Sequence, residues 1–450
     1  MPITSKTLRK ILRTRKLELM KRMNIGLLGI GTVGGGVFEL LKSNIKEIQR
    51  KTSADMKIVA VADKNIARAK EIVGSSIEVT DDAFKLVADK EIDVIVELIG
   101  GTTIAKDLVV KAIENKKHVV TANKALLANF GNELFQLAKK NNVTLAFEAS
   151  VAGGIPILKS IREGLAGNKI EWVAGIINGT TNFILTEMRE KGISFAKALS
   201  EAQSLGYAEA DPTFDIEGID AAHKLTILAG LSFGIPMSFK DVYVEGIKAL
   251  EQKDIRYAEE LGYRIKLLGI AKKRDQGIEL RVHPTLIPEK RLIANVNGAM
   301  NAVVVKGNMV GPTLYYGAGA GALPTASAVV ADLIDISRSS QVPLHGFDES
   351  KIDSIPIYKI DDAISGYYLR IRVSDKPGVL AEITKLFGDK KISIDAMLQK
   401  EPQEDESEAD IVILSHLAVE KDINAVIQSI ESLSATIGKV IKIRLEELSK

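Results

Sequence analysis

The chain has 450 residues, 46% hydrophobic and 26% charged, which is room for two or three globular domains and argues against large-scale disorder. It contains no cysteine, which removes disulfides, thiolate metal sites and any covalent thiol mechanism, and its five histidines show no ligand-like spacing. The net charge of +2 hides a basic arm: residues 1–22 carry eight Lys/Arg against one Glu, leaving 52 basic and 57 acidic groups in the remainder.

Such an arm fits nucleic acid or a membrane surface, or else an appended start ahead of a domain that opens with a strand at Met23. The second reading is simpler, and the acidic body speaks against nucleic acid as a partner. No stretch reaches the roughly 18 consecutive apolar residues of a membrane span, and no signal peptide is visible. A cytoplasmic protein without a membrane partner is expected.

From Met23, MNIGLLGIGTVGGGVFELLKSN reads as strand, glycine turn and helix, with Val37, Leu40 and Leu41 at helical spacing. Strands are predicted over 57–64, 93–101, 118–124 and 144–150, separated by helix-like segments. That alternation means a parallel doubly wound sheet. The rhythm changes near 170: a strand over 171–178, helices over 195–205 and 218–231 and the strand-like LRVHPTLIP (280–288) describe an α+β region. A glycine-rich turn near 317 runs into a long helix, and a Pro/Gly/Asp linker follows at 342–362. From Tyr367 a strand, a helix, two strands, a helix over 420–432 and a strand over 437–445 make a ferredoxin-like βαββαβ unit. The expected domains are a basic extension (1–22), a dinucleotide-binding domain (23–150), a substrate and dimerisation domain (151–316), a helix returning to the first domain (317–341), a linker (342–364) and the terminal unit (365–450).

Gly29-x-Gly31-x-x-Gly34 follows a strand and opens a helix, the setting in which tight backbone approach and helix N-terminal amides receive a pyrophosphate. Asp63 ends the next strand, 29 residues past Gly34 where about 20 is usual, and the polar insert KEIQRKTSADM absorbs the surplus. Asp63 fits a ribose hydroxyl and hence NAD, while Lys64 beside it fits the extra phosphate of NADP; both stay open. Lys124 in TANKALLA lies just past a strand's C-terminal end, where open α/β sheets place their sites and where ordinary helix-start lysines also occur.

LGYAEADPTFDIEGIDAAHKLTILAG (205–230) crowds Glu209, Asp211, Asp215, Glu217 and Asp220 ahead of a single lysine, Lys224. Asp220 and Lys224 are i,i+4 and share a helix face. An exposed pair would be worth a few tenths of a kcal/mol, but Ala221, Ala222, Leu225, Ile227 and Leu228 leave little polar face. A partly buried lysine in anionic company can move a proton. FEASVAGGIPI (147–157) sets a carboxylate before a glycine turn; its carbonyls would suit a hard cation, though a plain strand-to-loop transition explains the same residues.

These blocks, GLLGIGTVGGGV, ELIGG, TANKALLA, FEASVAGGIPI, GIINGTTNFIL, LGYAEADPTFDIEGIDAAHKLTILA and GAGAG with a following TA, resemble the homoserine dehydrogenases in order and spacing over roughly 23–340. The tail from 367, with DKPGVLAEI, resembles an ACT domain, a small-molecule sensor. The resemblance implies reversible reduction of L-aspartate 4-semialdehyde to L-homoserine with NAD or NADP, in threonine, methionine and isoleucine biosynthesis. It implies Lys224 as proton donor oriented by Asp220, Lys124 at the reacting group and the cofactor, and Glu209 and Asp215 at the substrate ammonium. Gly29, Gly31, Thr32, Val33, Gly34, Asp63, Lys64 and Gly321 would bind the cofactor. Glu148 with the carbonyls of Val151, Gly153 and Ile155 would hold a structural sodium ion. An amino-acid effector, L-threonine foremost, would sit at Asp375–Gly378 between paired ACT modules of a homodimer or homotetramer. A chain ended near 350 would then keep its activity and lose only its response. The rival reading is an amino-acid-sensing regulator on a degenerate nucleotide fold, against which the intact Lys124, Glu209, Asp220 and Lys224 speak. The phosphorylating semialdehyde dehydrogenases are excluded, since they need a cysteine.

Overall fold

The computed structural model describes residues 21–52, 54–338, 346–348, 352, 354–400 and 407–448, so residues 1–20 of the basic arm and much of 339–353 lie outside the described residues. The chain forms two compact units, one from the chain up to Gly167 with Gly234–Met237 and the segment 318–353, the other from Asn168–Phe233, Ser238–Gly317 and 354–450.

The first unit alternates β1 (Lys21–Leu28), α1 (Thr32–Lys51), β2 (Ala54–Ala62), α2 (Ile66–Val73), β3 (Glu78–Thr80), α3 (Ala83–Ala88), β4 (Val94–Glu97), α4 (Ile104–Glu114), β5 (His118–Thr121), α5 (Lys124–Lys140) and β6 (Leu145–Ala146). The six strands are parallel in the order β3-β2-β1-β4-β5-β6, whose reversal beside β1 leaves the crevice that dinucleotides use. Strand β1 starts at Lys21, two residues before the predicted Met23, because β2 begins at Ala54 and pairs with it there. The predicted strand over 144–150 shortens to Leu145–Ala146 and becomes a 3-10 turn at Glu148–Ser150, where Glu148 N donates to Asp332 Oδ2 (2.8 Å) instead of to a neighbouring strand.

The second unit contributes β7 (Ile170–Ile176), α6 (Gly179–Lys191), α7 (Phe195–Ser204), α8 (Thr213–Ile216), α9 (Ile219–Phe233), β8 (Tyr243–Val244), α10 (Gln252–Glu260), β9 (Tyr263–Arg274), β10 (Gly277–Pro288), β11 (Met300–Gly307) and β12 (Gly311–Ala318). The long helix after the glycine-rich turn, α11 (Ala322–Ser337), belongs to the first unit, where Ala326, Val329 and Leu333 join the core of Ile25, Leu27 and Val37. Gly36 on α1 is obligatory there, because a Cβ would stand 2.5 Å from Ala322 O. Strands β9 and β10 form a twelve-residue hairpin with Arg274 opposite Gly277, and β10 is buried along its whole length. The strand-like 280–288 covers most of β10, whereas β9 has no counterpart among the predicted elements.

The terminal unit comprises β13 (Ile364–Ser374), α12 (Val379–Asp389), β14 (Ile394–Gln399), β15 (Glu408–Ser415), β16 (Ala418–Val419), α13 (Glu420–Glu431) and β17 (Ile441–Leu445). Alternation along β13 sends Tyr367, Leu369, Ile371 and Val373 into a core under α12 and α13. The opposite face corrects the expected independence of this module. Strand β17 pairs in parallel with β10 and antiparallel with β13, so the module and the substrate domain share one sheet, β12-β11-β7-β9-β10-β17-β13-β15-β14. Arg370 Nε lies 2.6 Å from Asp254 Oδ1 on α10, Tyr368 Oη donates to the same oxygen (3.1 Å), and Arg281 on β10 pairs with Glu446 at 2.5 Å. The late linker is also fixed: Ile278 N donates to Pro356 O, and Tyr358 N to Ile278 O (both 2.9 Å).

Candidate active site

In the first unit, the glycine turn is built for a phosphate. Gly29 has φ +93°, and its N–H donates to Ala62 O (2.8 Å), locking the end of β1 to β2. A Cβ on Gly34 would fall 2.2 Å from Gly29 O, so no other residue lets α1 start this close to the strand. The N-cap is Gly31, which has no side chain to occupy the first amides of α1, and Thr32 stands exposed at that open end with Val33 half-buried behind it. These features fit a dinucleotide pyrophosphate. A cleft of about 430 Å³ opens there, lined by Gly31, Thr32, Gly35, Lys42 and Arg68 among others.

Asp63 does not stand free for a ribose. Its Oδ2 accepts from Ile30 N (2.8 Å) and its Oδ1 from Asn65 N (2.9 Å), so it first secures the glycine turn to β2. Lys64 beside it is exposed. Arg68, which the sequence reading passed over, lines the cleft from the first turn of α2; a basic residue one helical turn past Lys64 was the available signal.

Lys124 begins α5 directly after Asn123, whose Oδ1 accepts from Leu126 N (3.0 Å) and whose Nδ2 donates to Gly101 O (2.7 Å). Fully buried Glu97, the first residue of ELIGG, accepts from Ile99 N, Gly100 N (both 3.0 Å) and Thr121 Oγ1 (2.6 Å), bracing the ends of β4 and β5 that carry this lysine.

Glu148 is 2% exposed, and its carboxylate oxygens accept from Leu158 N (3.0 Å) and Lys159 N (2.8 Å). Burial, then Asp332, pushes its carboxyl up to about 8, against the pull of Lys159 and Arg162. The Val151–Ile155 turn packs on the glycine-rich turn before α11: Gly154 N donates to Ala318 O (2.9 Å), and a Cβ on Gly153 would meet Gly319 O at 2.6 Å. Ile155 O already accepts from Ile157 N (2.8 Å). Gly321, with φ +118°, is the N-cap of α11. No group of three or more His, Asp or Glu among the described residues could hold a metal.

In the second unit, Asp215, Asp220 and Lys224 converge. Lys224 Nζ bonds Asp220 Oδ2 and Ile177 O, both at 2.7 Å, and the two side chains are only 12% and 6% exposed. Asn178, between β7 and α6, donates to Asp215 Oδ1 (2.7 Å) and Asp220 Oδ2 (2.8 Å). The other three carboxylates of the 205–230 stretch stand outside this cluster. Glu209 is exposed in a loop held by its main-chain carbonyl on Gln203 Nε2 (3.0 Å). Asp211 accepts from Thr213 N (3.1 Å) to start α8, and Glu217 closes it. In the ACT-like module, Asp375 and Gly378 are exposed at the start of α12, where Gly378 takes φ +93°.

A parallel sheet with a glycine turn at its first helix is the class of domain that binds a dinucleotide, and the second unit holds a buried lysine against carboxylates. Residues 29–148 match the family model described as homoserine dehydrogenase, NAD binding domain, residues 156–334 the one described as homoserine dehydrogenase, and residues 367–435 the ACT domain. The chain belongs to the homoserine dehydrogenase family. It is 57% identical to the homoserine dehydrogenase of Neisseria gonorrhoeae, covering 95% of this chain and 100% of that one. To that of Pseudomonas aeruginosa it is 52% identical, covering 96% and 100%. A crystal structure of a homoserine dehydrogenase from Thiobacillus denitrificans superposes with a TM-score of 0.91 at 57% identity, covering 96% of this chain and 99% of that one. A hyperthermophilic archaeal homoserine dehydrogenase in complex with NADPH aligns with a TM-score of 0.62 at 28% identity over 72% of this chain and 99% of that one. The reaction is therefore the NAD(P)-dependent interconversion of L-aspartate 4-semialdehyde and L-homoserine, on the threonine and methionine route. This sets aside the degenerate-sensor reading.

Proposed function

We propose that Lys224 is the proton donor to the aldehyde oxygen, that Asp220 keeps it charged and aimed, and that Asp215 with Glu209 receives the substrate's ammonium. Lys124 contacts the reacting group. The observation that supports this is the bonded set Asp215, Asn178, Asp220 and Lys224, in which one amide links the Asp215 carboxylate to the Asp220–Lys224 pair. Bound NAD(P)H supplies the hydride. Negative charge then grows on the former aldehyde oxygen, and a partly desolvated ammonium stabilises it more than water would and gives up a proton to it. In the reverse direction the neutral amine takes the hydroxyl proton of homoserine.

The cofactor sits on the amides at the start of α1, with Gly321 and Lys124 as further contacts and Arg68 or Lys64 meeting the extra phosphate when NADP is used. A sodium ion belongs to the 148–155 turn, on the carbonyls of Val151, Gly153 and Ile155. Glu148 would offer a main-chain oxygen, because its carboxylate is committed to two amides. The ACT module takes an amino acid, L-threonine foremost, at Asp375–Gly378 in a cytoplasmic homodimer or homotetramer. The deciding assay is oxidation of NADPH and NADH by aspartate 4-semialdehyde. Lys224→Met should lower kcat about 10²–10⁴-fold with a smaller change in KM. A folded variant with near-normal kcat would remove Lys224 from this role.

A further inference from the structure

We propose that Asn178 is a positioning residue for this reaction: one side-chain amide ties the carboxylate that receives the substrate to the carboxylate that holds the proton donor. The proposal rests on the roles given above to Asp215, Asp220 and Lys224.

Asn178 is 4% exposed and stands where β7 turns into α6. Its Oδ1 accepts from Thr181 N (2.8 Å) and from Thr181 Oγ1 (2.9 Å), which caps the helix. That fixes which end of the amide is which. A backbone N–H can only donate and an ionised carboxylate can only accept, so the NH₂ must face the acids. Its two N–H bonds then go one each to Asp215 Oδ1 and Asp220 Oδ2. The preceding residue completes the arrangement, because Ile177 O is the second acceptor of Lys224. Gly179 lets this corner close, since a Cβ there would meet Ala299 O at 2.7 Å.

Capping alone does not call for asparagine. Serine, threonine or aspartate would cap α6 as well, but none also supplies two donors on the far side. Those donors sit between two carboxylates that would otherwise repel. Burial, then Asp220, pushes the Asp215 carboxyl above its usual range, while Asn178, Lys224 and Thr180 pull it back. Without the amide, Asp215 would hold a proton more readily and lose its attraction for an ammonium. Asp220 Oδ2 would lose the Asn178 donor and could swing with Lys224. One residue thus serves ground-state binding and proton delivery together.

The test is Asn178→Ser, which keeps a capping oxygen and removes the paired donors. Thermal unfolding should stay near wild type, while KM for aspartate 4-semialdehyde rises at least tenfold and kcat falls at least tenfold. Asp215→Asn should act chiefly on KM and Lys224→Met chiefly on kcat, so a joint effect marks the shared brace. If Asn178→Ser is folded and both constants stay within twofold while those two variants are crippled, the proposal is overturned. If those two are themselves near wild type, the underlying site reading fails instead. Asn178→Asp gives a second arm should the serine variant not fold. Facing Asp215, Asp220 and Lys224, the new acid should be at least 10²-fold impaired at pH 8. It should recover relative to wild type as pH falls and its protonated form donates again. A flat ratio across pH would also overturn the proposal.

Discussion

The docking of the ACT module onto the substrate domain gives the sharpest structural prediction, and Arg370→Met is the perturbation that reads it. Arg370 (5% exposed) reaches Asp254 (0% exposed) through Nε to Oδ1 at 2.6 Å and Nη2 to Oδ2 at 3.1 Å, and its Nη2 also meets Glu251 at 3.0 Å. Methionine keeps much of the side-chain volume but leaves the Asp254 carboxylate inside with Tyr368 Oη and Glu251 N as its donors among the described residues. Removing one partner of a buried pair costs about 3–5 kcal/mol, whereas a surface pair would cost about 0–1. At about 2–3 kcal/mol per molar urea, the midpoint should fall by roughly 1–2.5 M. The chain has a single tryptophan, Trp172, and it lies on β7 in the same shared sheet, so fluorescence-monitored urea unfolding of the full chain reports the right unit. Arg370→Met combined with Asp254→Asn should recover part of the loss, since the stranded charge is gone. A single-variant loss below about 1 kcal/mol would refute the docked arrangement. By the same reasoning, a chain ended near 350 loses β17, which bares the Thr285–Leu286 edge of β10, and takes Glu446 from the buried Arg281, leaving it Glu279. It should unfold or aggregate instead of remaining an active, unregulated enzyme.

Glu148→Gln should change the pH dependence of stability in a defined sense. The folded carboxyl is raised to about 8 from an unfolded value of about 4.3, so its contribution is full below that lower value and is lost as pH rises through about 8. Differential scanning between pH 5 and 9 should show wild type losing up to about 1.4 kcal/mol per pH unit more than the glutamine variant; parallel curves would contradict the assignment. Arg68→Ala should raise the KM for NADPH about 10–100-fold, the worth of a charge-assisted bond to phosphate, and leave the KM for the semialdehyde nearly unchanged. A change below twofold with both NADPH and NADH would take Arg68 out of the binding cleft.

What the sequence disclosed follows a physical divide. The parallel sheet was legible because its signals are local: apolar runs such as LLGI and DVIV, and glycines whose positions a Cβ would block, as at Gly34. Asp220 and Lys224 were legible as a pair because they lie one helical turn apart. Asn178 carries no such local signal. Its partners are 37 and 42 residues away, and a sequence does not show which end of an amide meets which acid. Arg68 was missed because an exposed helix lysine or arginine looks the same whether or not it borders a cleft. Asp63 was assigned to a ribose, where the fold also spends both its oxygens on main-chain amides.

The tail shows why a correctly recognised module can still be misplaced. Its composition and βαββαβ order speak only for its own core, the Tyr367, Leu369 and Ile371 face packed under α12 and α13. The decisive residues carry charge, which in a sequence reads as solvent exposure: Arg370 on the other face of the same strand, Arg444 on β17 and Arg281 on β10. Arg370 meets a partner 116 residues away, Arg444 one 199 away at Glu245, and Arg281 one 165 away at Glu446. Each is buried, and each would be costly to bury unpaired, so the pairs specify one docking register more sharply than apolar contacts would. Arg444 also bonds Glu420 at the start of α13, in the module itself, and Glu245 leads back through Ile247, whose N–H donates to Ile216 O (2.9 Å) beside Asp215. A module joined in this way cannot shift without moving Glu245 and the backbone that leads from it to Asp215, the carboxylate proposed for the substrate. Regulation by the tail is for that reason expected to reach KM through the shared sheet, and not through a linker.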